Sequence, residues 1–248
     1  MRYILLHRTE PRWEAGTLPS PELIARVGEL IGELSRAKMF VAGEGLRASS
    51  LGVRLSFHGG KRRLTRGPFQ ATEVVASSFL ILRTATLDEA VDWATRVGQI
   101  AGDLQIELRP VTEPWDIGLQ PPPPESTPRR YMALIKDPIA EAGGTRSPER
   151  EALHAKLVDE MTRRGVLIAT IDLQPTSKGA RLQREGDRFA VTDGPYAESK
   201  ELIAGYLIVD VPGRDEAIAW AHRYAHVVGT SEVDVRPLRA EGREGYGS

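Results

Sequence analysis

Apolar positions recur along this chain in two rhythms. Tyr3 to Leu6 is a short unbroken apolar run that predicts a strand, while Leu23, Val27, Leu30, Ile31 and Leu34 recur at helical spacing. Ser20-Pro21-Glu22 opens that helix, with serine as N-cap, proline at the first helical position and glutamate on the positive end of the dipole. A strand follows over Phe40 to Leu46, then a hairpin turning at Gly59-Gly60. Another strand runs through Phe79 to Leu82. A second helix directs Leu87, Ala90, Val91 and Ala94 inward, and Thr86 with Glu89 predicts a capping box. The last strand alternates, with Leu104, Ile106 and Leu108 inward and Gln105, Glu107 and Arg109 outward.

The whole order then returns. Ser20 recurs as Ser147, Gly67-Pro68 as Gly194-Pro195, Asp88 as Asp215, Trp93 as Trp220 and Arg109-Pro110 as Arg236-Pro237, all at an offset of 127. Arg2-Tyr3 matches Arg130-Tyr131 at an offset of 128, so one residue slips in the first loop. Strands are expected again at Tyr131 to Ile135, Val166 to Leu173 and Tyr206 to Val209. The hairpin turns at Gly186-Asp187, and the last strand alternates through Val233 and Val235. Identities spread over a whole domain indicate duplication rather than a short solenoid repeat. Pro121 to Pro124 cannot continue a helix or a central strand and read as a stiff linker. The boundaries are a degenerate first copy over 1–118, a Pro-rich linker over 119–128, a second copy over 129–239 and a flexible tail over 240–248. Each copy reads β-α-β-β(-β)-α-β, a ferredoxin-like split βαβ pattern. Helices cover only one face of such a sheet, so the other needs a partner. The expected fold class is α+β: two ferredoxin-like domains packed sheet to sheet as a pseudo-twofold dimeric α/β barrel within one chain. A homodimer of such pseudo-dimers stays open.

Composition narrows the function classes. With 248 residues and a net charge of −1, the chain has no global footprint for nucleic acid or an anionic membrane. The absence of cysteine excludes a disulfide framework, a thiol nucleophile and a cysteine-based metal site, and it fits a reducing cytoplasm, the expected location. The apolar run before His7 is too short for a secretory signal. No apolar stretch approaches the roughly 20 residues of a membrane helix.

The run "TDGPYAESKELIAGYLIVDVPGRDEAIAWA", Thr192 to Ala221, resembles the signature of the YCII-related family in its DGPF branch, which carries Asp-Gly-Pro-Phe-Ala-Glu-Thr-Lys-Glu. Tyr196 stands for the phenylalanine and Ser199 for the threonine. The second half resembles the family from Arg130 to Leu238. The first half resembles it more weakly, through "MFVAGEGL", "GVRL", "RGPF" and the Asp-Glu-Ala helix with Trp93. The resemblance implies the ferredoxin-like, dimeric α/β-barrel fold and a small-molecule enzyme with a His–Asp pair. Some DGPF members are associated with extracytoplasmic-function sigma factors.

The two copies differ where chemistry could sit. Leu23 and Val27 of the first helix align with Arg150 and His154, four apart and so on one helix face. The first copy has Arg66 where the second has Asp193, so His154/Asp193 in one copy answers Val27/Arg66 in the other. The resemblance points the same way, because the family's histidine stands eleven residues before a helix-ending glycine, as His154 stands before Gly165. An aspartate bonded to one imidazole nitrogen fixes the tautomer and leaves the other nitrogen as acid or base. Arg150 could hold a carboxylate or enolate oxygen, with Tyr196, Lys200 and Tyr206 adding hydrogen bonds. This set suits proton transfer beside a carbonyl, as in isomerisation, elimination or dehydration of a small enolisable or anionic substrate, without metal or cofactor. Three plainer readings stand beside it. The Asp-Gly-Pro can be a simple turn, the module can bind or regulate without catalysing, for example as a sigma-factor partner, or the duplicate can be purely structural. Lys200 and Glu201 can form a loop salt bridge, and His222 and His226 lack an evident third metal ligand. His7 and His58 are isolated, the glycine-rich basic stretch Phe57 to Arg63 reads as a hairpin turn, and Trp93 and Trp220 read as core.

Overall fold

A computed structural model describes residues 1–70, 75–196 and 202–239. Lys200, Glu201 and the tail over 240–248 therefore lie outside the described residues. The first half runs β1 (Arg2–Arg8), α1 (Pro11–Glu14), α2 (Pro21–Arg36), β2 (Phe40–Gly45), β3 (Val53–His58), β4 (Lys61–Arg66), β5 (Ser78–Thr84), α3 (Leu87–Ala101) and β6 (Leu104–Pro110). The second runs β7 (Arg129–Lys136), α4 (Pro138–Glu141), α5 (Pro148–Arg163), β8 (Leu167–Asp172), β9 (Ala180–Glu185), β10 (Arg188–Asp193), β11 (Ile203–Asp210), α6 (Arg214–Val228) and β12 (Glu232–Pro237). The caps follow the sequence logic. Ser20 Oγ accepts from Leu23 N at 3.2 Å and Ser147 Oγ from Arg150 N at 3.4 Å. Thr86 accepts from Glu89 N at 3.1 Å, while the Glu89 carboxylate reaches back one residue further than a capping box requires, to Ala85 N.

Twelve strands form two six-stranded antiparallel sheets, in the orders β10-β9-β12-β1-β11-β2 and β4-β3-β6-β7-β5-β8. Neither sheet belongs to one half of the chain. The first takes β1 and β2 from the first half and β9 to β12 from the second; the other takes β3 to β6 from the first and β7 and β8 from the second. This differs from one sheet per copy. The connection across the proline-rich linker explains it. β6 and β7 are consecutive strands, and they pair antiparallel from Gln105↔Lys136 to Pro110↔Tyr131. β7 thus takes the place beside β6 that an unexchanged half would give to β1, and β1 pairs instead with β11 and β12.

Helices α2 and α6 cover the first sheet, where Leu30, Leu34, Ala217, Ala221 and Tyr224 pack on Tyr3, Leu5 and Leu207. Helices α3 and α5 cover the second, through Val91, Ala94, Val97, Leu157 and Met161 on Leu55, Ile106 and Leu108. A third cluster joins both sheets, with Ile4, Leu6, Tyr206 and Ile208 against Phe79, Ile81, Met132 and Leu134. Trp93 and Trp220 are buried, as core. The outward assignment of Glu107 and Arg109 is wrong, since each is only 1% exposed. Alternation separated the two faces correctly, but the far face looks into the molecule rather than at water.

Gly67-Pro68 and Gly194-Pro195 are both cis. A Cβ at Gly67 would lie 1.8 Å from Ser49 O, and one at Gly194 would lie 1.7 Å from Thr176 O, so only glycine fits. The Gly-Pro core of both loops is thus explained by close backbone approach.

Candidate functional site

The polar faces of β9, β12 and β1 converge on a buried charge network in the first sheet. Arg8, Arg181, Glu232, Asp234 and Arg236 are all under 9% exposed. Arg8 Nε donates to Glu232 Oε1 at 3.1 Å, and its Nη2 donates to Asp234. Arg181 donates from Nε to Asp234 Oδ1 at 2.6 Å and from Nη2 to Oδ2 at 3.0 Å, with Glu232 Oε1 3.2 Å away. Gln183 completes the set, donating to Glu232 Oε2 at 3.0 Å. Burial opposes the charge on Arg181, but the Asp234 bond and charge outweigh it and hold the guanidinium protonated above its ordinary range.

Arg236 clamps the two sheets. From β12 it donates to Gln174 O, to Ala76 O just before β5, and to Glu141 Oε2 at 2.9 Å. Arg109 repeats this from β6, donating to Arg47 O at 2.6 Å, Ile203 O at 2.6 Å and Glu14 Oε1 at 3.2 Å. Every partner is displaced by 127 residues, so the twofold relation extends to single hydrogen bonds. The second sheet carries the matching network. Arg54 donates to Glu107 Oε2 at 3.0 Å, and Arg109 and Lys136 approach the same carboxylate at 3.6 and 3.9 Å.

The Gly-Pro-aromatic loops lie over these networks. The Arg181 guanidinium sits 4.3 Å from the Tyr196 ring centre, and Arg54 sits 4.3 Å from that of Phe69. Tyr196 Oη is buried with no hydrogen-bond partner among the described residues. Burial pushes this phenol up strongly, and the Asp234 charge adds to it, so Tyr196 stays a neutral donor.

The expected dyad does not form. Asp193, the last residue of β10, is 77% exposed in its side chain and pairs with Arg214 at the start of α6. Its counterpart Arg66 faces Asp88 at 3.6 Å, so each half ties this strand end to the following helix start, through neighbouring rather than matched helix positions. His154 is half-buried on α5. Burial lowers its pKa and Arg146 lowers it further, against Asp172, and Asp193 is not among the charges acting on it. The strand exchange is the physical reason: α5 covers one sheet, whereas β10 edges the other. The first turns of these helices are not core either, since Leu23, Val27 and His154 are only half-buried. Arg150 donates to Ala101 O at 3.1 Å and caps the end of α3. Tyr206 is buried between the sheets, its ring centre 5.0 Å from that of Phe79, its counterpart in the other half. Of the expected site residues that are described, only Tyr196 lies at the network.

Sequence reading passed over Arg8, Arg54, Arg181, Glu107, Asp234, Glu14 and Glu141. The usable signal was charge repeated at the offset: Arg54/Arg181, Glu107/Asp234, Arg109/Arg236 and Glu14/Glu141. The reading of His7 as isolated is wrong, since its Nδ1 lies 2.7 Å from Tyr224 Oη. Burial, with help from Arg8 and Arg109, lowers the His7 pKa to about 4. The counterpart residues Ile135 and Val97 are apolar. His222 and His226 pack edge-on against Phe189.

Comparison with known proteins places the second half. Residues 130–239 match the YCII-related domain. A 67-residue stretch is 36% identical to an uncharacterized protein of Rhizobium meliloti (strain 1021), covering 27% of this chain and 54% of that one. The chain thus spans about half the length of this curated relative. No solved structure matches. No helix among the described residues is long and apolar enough to cross a membrane.

Proposed function

We propose that the chain is a tandem duplication of a YCII-type unit whose halves complete each other as an intramolecular dimeric α/β barrel. Its second-half loop closes a binding site for a small molecule bearing a carbonyl or carboxylate oxygen, a site that binds rather than transfers protons through a His–Asp pair. The observation that carries this is Tyr196 Oη, buried beside Arg181 without a partner. An unpaired buried hydroxyl costs about 1–3 kcal/mol. The first half shows the cost is avoidable, because Phe69 occupies the matching place. A hydroxyl kept at such a position is one that a ligand oxygen would meet, as acceptor for the phenol within the field of Arg181 and Arg236.

Thermal shift and calorimetry against small ketones and monocarboxylates provide the test. Wild type is expected to bind at least one of them, and Tyr196→Phe to bind it about tenfold less tightly, the loss of one buried hydrogen bond. Equal affinity in the variant would overturn the assignment. His154→Ala is expected to leave binding unchanged.

A further inference from the structure

The first-half network differs from its twin at a point that defines a second ligand. In the first sheet Arg181 Nε faces two carboxylates, donating to Asp234 and lying 3.2 Å from Glu232 Oε1. In the second sheet Glu107 matches Asp234, but Gln105 replaces Glu232. Two buried polar atoms are left without a hydrogen-bond partner among the described residues there, Arg54 Nε and Gln105 Oε1. The first is a charged donor and the second a neutral acceptor.

Their placement is fixed by the strand register. Arg54 pairs with Glu107 and Ser56 with Gln105 across β3 and β6, so Arg54 and Gln105 are diagonal neighbours on one face. Such neighbours stand about 7–8 Å apart or less at Cβ, within reach of one small molecule for two long side chains. The Arg54 side chain keeps 12% exposure, while its Nε and Gln105 Oε1 are themselves buried. Phe69 bounds the guanidinium on one face, and Arg54 also donates to Gln70 O at 2.7 Å.

The protein itself shows what fits the guanidinium, because in the twin network a carboxylate lies beside the same nitrogen. We propose that the first half holds a second, separate binding site, selective for a small 2-hydroxycarboxylate. The ligand carboxylate accepts from Arg54 Nε, in the place Glu232 holds in the other network. The ligand hydroxyl donates to Gln105 Oε1. A charge-assisted bond supplies most of the affinity and the hydroxyl supplies the discrimination, since an analogue without it leaves Gln105 unpaired.

Calorimetric titration of the full chain with glycolate, acetate and inorganic phosphate tests this. Glycolate is expected to bind, with acetate about tenfold weaker and phosphate weaker than glycolate. Gln105→Glu rebuilds the twin arrangement and should abolish glycolate binding without lowering the melting temperature. Arg54→Lys should abolish it as well. Run in the Tyr196→Phe background, which weakens the site under Tyr196, the titration should keep the preference for glycolate over acetate, which separates the two sites. Failure of wild type to bind glycolate, equal affinities for glycolate and acetate, tighter phosphate binding, or full glycolate affinity in folded Gln105→Glu would each overturn the assignment.

Discussion

The two buried networks stand on one scaffold and differ in four matched residues besides a carboxylate exchange, Asp234 for Glu107. Arg8, Glu232 and Tyr196 in the first sheet answer Lys136, Gln105 and Phe69 in the second, and Gln183, which bonds Glu232, answers Ser56. The shared members, Arg181/Arg54, Asp234/Glu107 and Arg236/Arg109, keep the same partners in both. The anchoring charges are therefore part of the fold, whereas the differing residues set which polar atoms are left unpartnered among the described residues. In the first sheet that atom is a phenol oxygen; in the second it is a guanidinium nitrogen beside an amide oxygen.

The largest effect tests whether the anchors are equivalent. Arg236→Ala strands Glu141 and the carbonyls of Gln174 and Ala76, and Arg109→Ala strands Glu14 and those of Arg47 and Ile203. Each is expected to cost about 3–5 kcal/mol in urea denaturation, because losing the buried guanidinium leaves a cavity, two carbonyls without their donor and a part-buried carboxylate without its cation. Unequal costs would show that the twofold relation in geometry is not one in energy.

The next concerns the part-buried His7–Tyr224 pair, present only on the first sheet. His7 titrates at about 4 in the folded chain and at 6.5 as a free side chain. The unfolded chain therefore binds the proton more readily, so stability is complete above pH 6.5 and is lost as pH falls towards 4. The loss should approach about 2–3 kcal/mol. The double variant His7→Ile with Tyr224→Val copies the second sheet and should flatten this part of the stability–pH curve. A curve of unchanged slope in the double variant would assign the dependence to other groups.

Tyr196→Phe copies Phe69 and should raise unliganded stability by about 1 kcal/mol, since it removes an unpaired buried hydroxyl. A fall in stability would mean that the hydroxyl is already satisfied. The smallest effect is at the loop ion pair. Asp193→Ala should change stability by less than about 1 kcal/mol, as an exposed pair does. Asp193→Ala and His154→Ala should be additive within about 0.5 kcal/mol. A larger coupling would reconnect the two residues.

Much of the fold could be read from local signals. Ser20 and Ser147 cap helices as their spacing predicts, and the hairpins turn at Gly59-Gly60 and Gly186. The offset of 127 predicts matched elements down to the Arg-Pro strand ends. The site was much less legible. Asp193 varies together with Arg214, which is Leu87 in the first half, while Arg66 pairs with Asp88, whose counterpart Asp215 is unchanged; neither partner is His154. A covariation between two copies shows that residues are linked to something, and only the packing says to what.

The sequence by itself determined the elements, their caps, the glycines that the Gly-Pro loops require and the twofold repetition, because these depend on backbone conformation and short-range spacing. Only the tertiary structure decided which half supplies which strand. β1 and β7 have nearly the same pattern and fit the same slot, so local preference cannot choose between them. The connection from β6 to β7 makes the choice, and it separates His154 from Asp193. Tertiary structure also decided that Glu107 and Arg109 are buried, since alternation along a strand says which residues share a face and not what covers that face.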